Sequence, residues 1–510
     1  MIDQQILAAQ RLSRDEIHQL QSQRLRALVR HVYDNVPFYR RKMDERGVKP
    51  QDIRTAEDID LLPFTEKSDL RDHYPFGLLA VSRREIVRMH ASSGTTGKPT
   101  VAAYTREDLD NWTELTARSL ALAGIDDTSV VHIAYGYGLF TGGLGVHYGA
   151  ERLGAAVVPA SGGNTQRQLT LMEDFGATAL CCTPSYAINL AEAMQEKGVD
   201  ISRMQLKTGV FGAEPWSESM RARIEKMLHI QAHDIYGLTE MMGPGVAMEC
   251  AARQGLHIWE DAFLPEILDE KQQAAPEGEA GELVITTLVK RGMPLLRYRT
   301  HDITCLTHAP CPCGCTHARL RRITGRNDDM LIIRGVNVFP SQIEQTLLQI
   351  EGITPNYQII VDRRGALDTL TVMVELDPAR MSDTVRDVEA LSAYVAAQLS
   401  ASCLVHATVR LCPAGSLARS EGKAKRVIDN RKSEYKRRRL TGGRVGRYNN
   451  NCCLSLKKEG DRHAAQGEVY KGRDYPGRAQ CSPRQGRVQG QHARYRRRAA
   501  GVHAPDFYLF

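Results

Sequence analysis

The sequence predicts a layered α/β protein followed by a smaller α+β unit, and three observations carry that prediction. Between residue 90 and about residue 300, short apolar strands alternate with segments of helical spacing, the pattern of helices packed on a sheet. At Gly325–Asp329 this pattern stops, and a second strand-and-helix unit of about 100 residues begins, long enough to fold around its own core. Early in the alternating region lies Ser92-Ser93-Gly94-Thr95-Thr96-Gly97-Lys98-Pro99, where glycines, hydroxyls and one lysine suit the close approach of a phosphate chain.

Residues 1–90 read as mostly helical, with Leu25, Leu28 and Val32 at three- and four-residue steps on one face. In the alternating region, Val130–Ala134 and Thr178–Thr183 are predicted strands and Ser217–Leu228 a helix. In the smaller unit, Leu331–Ile333, Tyr357–Val361, Thr369–Val374 and Leu404–Leu411 are predicted strands. Ser341 is placed as the cap of a helix running to Leu348. A second helix, Val385–Leu399, carries Val388, Leu391, Val395 and Leu399 on one face. The expected division is 1–327, 328–430 and a tail, 431–510.

Composition narrows the class. The 510 residues are 42% hydrophobic and 25% charged, ordinary for a globular protein. No apolar run approaches the roughly 20 residues of a membrane span, and the first residues lack a secretory pattern. Twelve cysteines are too few for a disulfide scaffold, and Cys181 and Cys182 read as buried strand thiols, so a reducing cytoplasm is expected. The net charge of +7 is uneven: residues 431–510 hold 20 Lys/Arg and 6 Asp/Glu, whereas residues 1–430 hold 47 and 54. The basic tail shows little apolar periodicity and is expected to be a disordered, non-native extension. Its alternative reading is an arm for RNA or a membrane surface, although Tyr470, Tyr475 and Tyr495 are too sparse to suggest base stacking.

The phosphate-type loop is not a Walker A motif, because only two residues separate Gly94 from Gly97 and Pro99 follows Lys98. Four further segments follow it in order: Asp234-Ile235-Tyr236-Gly237-Leu238-Thr239-Glu240, Tyr298-Arg299-Thr300-His301-Asp302, Gly325-Arg326-Asn327-Asp328-Asp329 and Arg419-Ser420-Glu421-Gly422-Lys423. This ordered set resembles the adenylate-forming enzymes that join a carboxylate to coenzyme A. Within them the chain resembles the phenylacetate–coenzyme A ligases, through Tyr135–Gly143, Phe211–Trp216 and Arg334–Pro340. The resemblance spans about residue 10 to about residue 430 and implies a large ATP- and acid-binding domain with a small mobile one.

The resemblance implies two half-reactions, with ATP, Mg2+ and coenzyme A as reaction components. The carboxylate attacks the α-phosphate of ATP to give an acyl-adenylate; the coenzyme A thiol then attacks the acyl carbonyl. Because an anion attacks a polyanion, the site must neutralise charge and align the reacting atoms. Lys423 matches the lysine that bridges carboxylate and α-phosphate. Ser93, Gly94, Thr95, Thr96, Gly97 and Lys98 would hold phosphates. Thr239 would bond the α-phosphate and Glu240 would carry Mg2+, a hard cation that prefers oxygen ligands. Tyr236 would stack on adenine, with Gly212, Ala213, Glu214 and Pro215 opposite and Asp234 and Gly237 in the same cofactor site. Asp302 would accept both ribose hydroxyls, Arg326 would contact ribose or phosphate, and Asp328 would be the hinge. Tyr135, Tyr137 and Phe140, with glycines between them, match the segment that forms a flat aryl pocket.

A further set stands apart. Cys250 and His257 lie on one loop, and Cys311 and Cys313 on another, a combination that fits a closed tetrahedral Cys3His structural zinc site. Cys315, His308 and His317 are rival ligands, and some members of the resembled family carry zinc on these loops. The alternatives to aryl-acid ligation are adenylyl transfer to a deazaflavin coenzyme and a non-catalytic protein whose tail binds nucleic acid. Expected partners are an aryl acid and coenzyme A, without membrane or nucleic acid; a homodimer is a family-level expectation.

Overall fold

The computed structural model describes residues 4–92, 99–323, 325–326, 331–334, 336–364, 367–377, 385–419 and 426–431, all within the compact unit Met1–Gly442. The chain enters through helix Arg14–Asn35, started by Ser13, whose hydroxyl accepts the Glu16 N–H while the Glu16 carboxylate accepts the Ser13 N–H. Leu25, Leu28 and Val32 then bury one face in a core cluster that also holds Trp259 and Tyr298, far along the sequence.

A nine-stranded sheet forms the centre. Strands Gln231–Leu238, Thr208–Gly212, Ala179–Cys182, Val130–Ile133 and Ala156–Val158 lie in that order and run parallel. Helices connect them, as parallel strands require a crossover. Gly243–Glu249, Leu256–Ile258, Arg319–Leu320 and Leu306–Thr307 extend the other edge antiparallel. The strand thiols Cys181 and Cys182 are fully buried, and burial pushes the Cys181 thiol up to about 12. A second, antiparallel sheet holds Phe263–Leu268, Gly281–Thr287, Tyr298–Thr304 and Gly325–Arg326.

After residue 330 the chain builds a separate core from Leu331, Val338, Ile359, Val372, Val395 and Leu399, among others. Its sheet runs Ala407–Cys412, Leu367–Leu376, Ile353–Arg364, Val427–Asp429, covered by helices Pro340–Leu347 and Val385–Cys403. Two local expectations are corrected here. Ser341 is not the helix cap: Phe339 takes that position and Pro340 is the first helical residue, where a missing N–H costs nothing. The last helix runs on to Cys403, and Leu404, at φ +54°, turns the chain before a strand that starts only at Ala407. Helix Glu218–Leu228 is capped by Ser217 as the pattern implies. Among the described residues no helix is long and apolar enough to cross a membrane.

Candidate active site and metal cluster

The parallel strands deliver a cluster at their carboxyl ends, where ligands sit in open α/β sheets. Gly212 closes strand Thr208–Gly212 with a Cβ position only 2.2 Å from the Ile235 carbonyl oxygen, so only glycine fits against the next strand. Ala213 follows at φ +70°, and the exposed turn continues through Glu214 and Pro215. Glu214 accepts the Ser185 N–H at 2.7 Å, at the first turn of helix Pro184–Glu196.

Tyr236, on strand Gln231–Leu238, donates its phenol to Oδ2 of Asp302 at 2.5 Å. Asp302 comes from strand Tyr298–Thr304 of the second sheet, so the bond joins the two sheets. Arg326 is its partner in register and places Nη1 3.2 Å from Oδ1. Asp302 is buried, and Tyr236 is held neutral by burial and then by this carboxylate. The result is a fixed carboxylate flanked by an aromatic face and a guanidinium.

Beyond Tyr236 the strand pairing slips, and Gly237 meets Gly243: a Cβ on Gly237 would lie 1.9 Å from the Gly243 carbonyl oxygen. This tight return carries Thr239 and Glu240. Oε1 of the buried Glu240 has no hydrogen-bond partner, while Lys67 Nζ stands 3.5 Å away. Lys290, fully buried, donates to the Glu240 carbonyl at 2.8 Å and to the Met241 carbonyl, with its ammonium 4.8 Å from the Tyr104 ring centre. Burial brings the Lys290 ammonium down to about 8, against the pull of Asp108 and Glu240. Lys67 and Lys290 escaped the sequence reading. Lys290 sits next to Arg291 and no sequence pattern marks it, and Lys67 gave no signal either.

The aromatic segment is more divided than expected. Tyr135 packs into the core beside the first turn of helix Gly142–Arg152, with its buried hydroxyl unpaired. Tyr137 engages the His147 ring nitrogen at 3.1 Å, and Phe140 remains half-exposed. Asp234 lies among Arg322, Glu249 and Trp216, and burial raises its carboxyl to about 6. Ser93, Gly94, Thr95, Thr96, Gly97, Lys98, Asp328 and Lys423 lie outside the described residues.

The second constellation is compact. Ligand atoms of Cys250, His257, Cys311 and Cys313 all lie within 4.8 Å of one another. Cys250 Sγ is 3.6 Å from Cys311 Sγ, and Cys313 Sγ is 3.3 Å from His257 Nε2. A tetrahedral ion with bonds of about 2.0–2.3 Å requires edges close to these. His257 Nδ1 donates to the His317 carbonyl at 3.0 Å, which turns Nε2 toward the thiols. The rival candidates are placed differently. The Cys315 N–H meets Cys313 Sγ at 3.4 Å, His317 binds the Glu260 N–H and the Ala9 carbonyl, and His308 faces Glu260 and Glu277.

Comparison with known proteins places the chain in a family. The AMP-binding enzyme family model matches residues 11–288, more than half the chain, and the AMP-binding enzyme C-terminal domain matches 335–431. The fold is thus that of an adenylate-forming enzyme. The phenylacetate–coenzyme A ligase of Thermus thermophilus is 51% identical over 436 residues, covering 82% of this chain and 98% of that protein. The Escherichia coli K12 phenylacetate–coenzyme A ligase is 50% identical, covering 82% and 95%. The chain belongs to the phenylacetate–coenzyme A ligase family. Among solved structures, 2-hydroxyisobutyryl-CoA ligase in its postadenylation state is 30% identical, with a TM-score of 0.78 over 84% of this chain and 93% of that one. The same ligase in its thioesterification state covers 84% and 94% with a TM-score of 0.62.

Proposed function

We propose that this protein converts phenylacetate, or a close aryl acetate, to its coenzyme A thioester through an acyl-adenylate, with release of pyrophosphate and AMP. The observation that carries this reading is near-50% identity to phenylacetate–coenzyme A ligases along almost their whole length.

In this reading Asp302 is the ribose acceptor: an ionised carboxylate already fixed by Tyr236 and Arg326 binds two hydroxyls without reorganising. The Tyr236 ring offers the adenine a flat face opposite the turn Gly212–Pro215. Thr239 lies at the α-phosphate, presented by the tight return that Gly237 and Gly243 allow. Lys423 bridges the acid carboxylate and the α-phosphate, where its charge offsets the repulsion between two anions. Ser93–Lys98 hold the outer phosphates, Asp328 serves as hinge, and Tyr135, Tyr137 and Phe140 contribute to the aryl side.

Two metal ions fit residues present. Oε1 of the buried Glu240 accepts no hydrogen bond and stands 3.5 Å from Lys67 Nζ; this carboxylate would hold Mg2+, which supplies charge neutralisation on the nucleotide phosphates when bound. Cys250, His257, Cys311 and Cys313 suit Zn2+, which closes two loops and takes no part in the reaction. All described cysteines are free thiols, in keeping with a reducing cytoplasm.

The test is pyrophosphate release and thioester formation with ATP, Mg2+ and coenzyme A across a panel of aryl and aliphatic acids. Phenylacetate is expected to be turned over, and Lys423→Ala to abolish adenylate formation. Absence of acid-dependent pyrophosphate release would overturn the assignment.

A further inference from the structure

One charged contact between the C-terminal and large domains is not used by the site described above. Arg419 lies four residues before Lys423. Its guanidinium grips Glu375 through two bonds, Nη1 to Oε1 at 3.0 Å and Nη2 to Oε2 at 2.9 Å. Glu375 is fully buried and also accepts the Leu417 N–H at 2.7 Å. These bonds fix Arg419 to the C-terminal sheet. The same Nη2 stands 3.9 Å from Oε2 of Glu192, on helix Pro184–Glu196 of the large domain. Glu192 is held from its own side by Arg223, 3.8 Å away. Burial pushes the Glu192 carboxyl up, while Arg419, Arg223 and the Asn356 amide of the C-terminal sheet favour its charged form.

Among the described residues, Leu348 of the C-terminal domain packs against the apolar cluster around Leu190 and Met194, Phe339 lies against Gly325, and Glu214 acts on the Arg426–Glu344 pair through its field. The Arg419–Glu192 ion pair is a charged contact that only this orientation makes. The orientation is the first of the two the reaction needs. Over the same 84% of this chain, one homologous ligase matches with a TM-score of 0.78 in its postadenylation state and 0.62 in its thioesterification state.

We propose that Arg419 and Glu192 form the latch that holds the C-terminal domain in its adenylate-forming orientation. The inference rests on the two-step ligase reading. A latch of this kind must hold one state yet release it every turnover. The Arg419 and Glu192 side chains are 33% and 22% exposed, so the pair shifts the balance of states by about two- to fivefold, which permits release. Glu375 sets the aim of Arg419; Glu192 is the part that lets go.

The experiment uses the full chain and measures each half-reaction separately. Phenylacetate-dependent ATP–pyrophosphate exchange reports the first, and thioester formation from synthetic phenylacetyl-adenylate and coenzyme A reports the second. Glu192→Gln is expected to slow exchange about two- to fivefold, and Glu192→Lys, which faces Arg419 with like charge, about tenfold. The second half-reaction should stay unchanged or quicken. Arg223→Gln controls for local effects on the large domain and should leave both rates within about twofold. Equal losses in both half-reactions, undiminished exchange in Glu192→Lys, or an Arg223→Gln protein that behaves like Glu192→Gln would each overturn the latch. Wild-type protein without acid-dependent exchange would overturn the ligase reading itself, and the latch with it.

Discussion

Replacing Asp302 by asparagine tests the nucleotide site where its geometry is best defined. The carboxylate receives the Tyr236 phenol at 2.5 Å and the Arg326 guanidinium at 3.2 Å. Asparagine keeps the shape and one acceptor oxygen but puts an NH2 donor where the second oxygen was. One of the two partners then faces a donor, and Arg326 loses its counter-charge. A hydrogen bond to a charged group is worth about 1.5–3 kcal/mol, and ribose hydroxyls would meet the same deficit. One such loss predicts a fall in kcat/KM for ATP of about 10- to 150-fold. The effect should fall mainly on the KM for ATP and leave the KM for coenzyme A unchanged. Tyr236→Phe, which keeps the ring and removes only the phenol, should cost about tenfold or less. Pyrophosphate release at varied ATP measures both, with thermal melts as the check on folding. A KM for ATP within twofold of wild type in a folded Asp302→Asn protein would refute the reasoning.

Three other perturbations give separate readings. Purified protein is expected to hold about one zinc per chain, and Cys313→Ser to lose it with a melting temperature lower by roughly 3–6 °C; zinc-free wild type would count against the cluster. Glu240→Gln should raise the Mg2+ concentration needed for half-maximal pyrophosphate release by about tenfold, and an unchanged Mg2+ dependence would remove Glu240 from that role. Burial alone would push the Glu260 carboxyl up, but His308, Arg14 and the Ala318 N–H outweigh it and bring it from 4.5 to about 2. Its folded value lies below its unfolded one, so its stabilisation is present above about pH 4.5 and is lost as pH falls toward 2. Glu260→Gln should therefore cost about 3 kcal/mol near neutral pH. In urea denaturation the gap to wild type should narrow as pH is lowered from 5; a gap that does not change with pH contradicts this.

Most strands and helices were legible because their side-chain periods are local: Ala179–Cys182 and Glu218–Leu228 fall within a residue of the patterns that predict them. Helix ends were less legible, since Ser341 is a good cap by type and only the preceding Pro340 decides where the helix starts. The members of the nucleotide cluster could be named one by one, but their meeting depends on two sheets. Tyr236 and Asp302 sit 66 residues apart and touch only because one strand from each sheet ends at the same place. The choice of Cys250, His257, Cys311 and Cys313 over Cys315 and His317 was likewise open in the sequence. The structure brings the ligand atoms of the first four within 4.8 Å of one another, while both His317 ring nitrogens are engaged by the Glu260 N–H and the Ala9 carbonyl. Lys290 was invisible because its partners are backbone carbonyls, which leave no trace in side-chain pattern.

The bonds of His317 also tie the cluster to the start of the chain. Its carbonyl orients His257, its ring holds the Glu260 N–H, and its far nitrogen reaches Ala9. Glu260 is gripped in turn by Arg14 through two bonds of 2.6 and 2.8 Å, and its carbonyl accepts the Gln21 amide. Arg24 and Arg118 close on the adjacent Asp261. The Cys250, His257, Cys311 and Cys313 groups thus sit at one end of a polar relay whose other end is the N-terminal helix Arg14–Asn35. The loop carrying Cys311 and Cys313 is tied to the N-terminal segment by the Thr316 contacts to Gln10 and Leu12 and to the body by Arg319 Nη2 at the Ala309 carbonyl. Zinc removal should therefore expose the amides of helix Arg14–Asn35 to hydrogen exchange before those of the central sheet. Protection lost first from strand Ala179–Cys182, with the N-terminal helix unchanged, would show that the cluster does not anchor that helix.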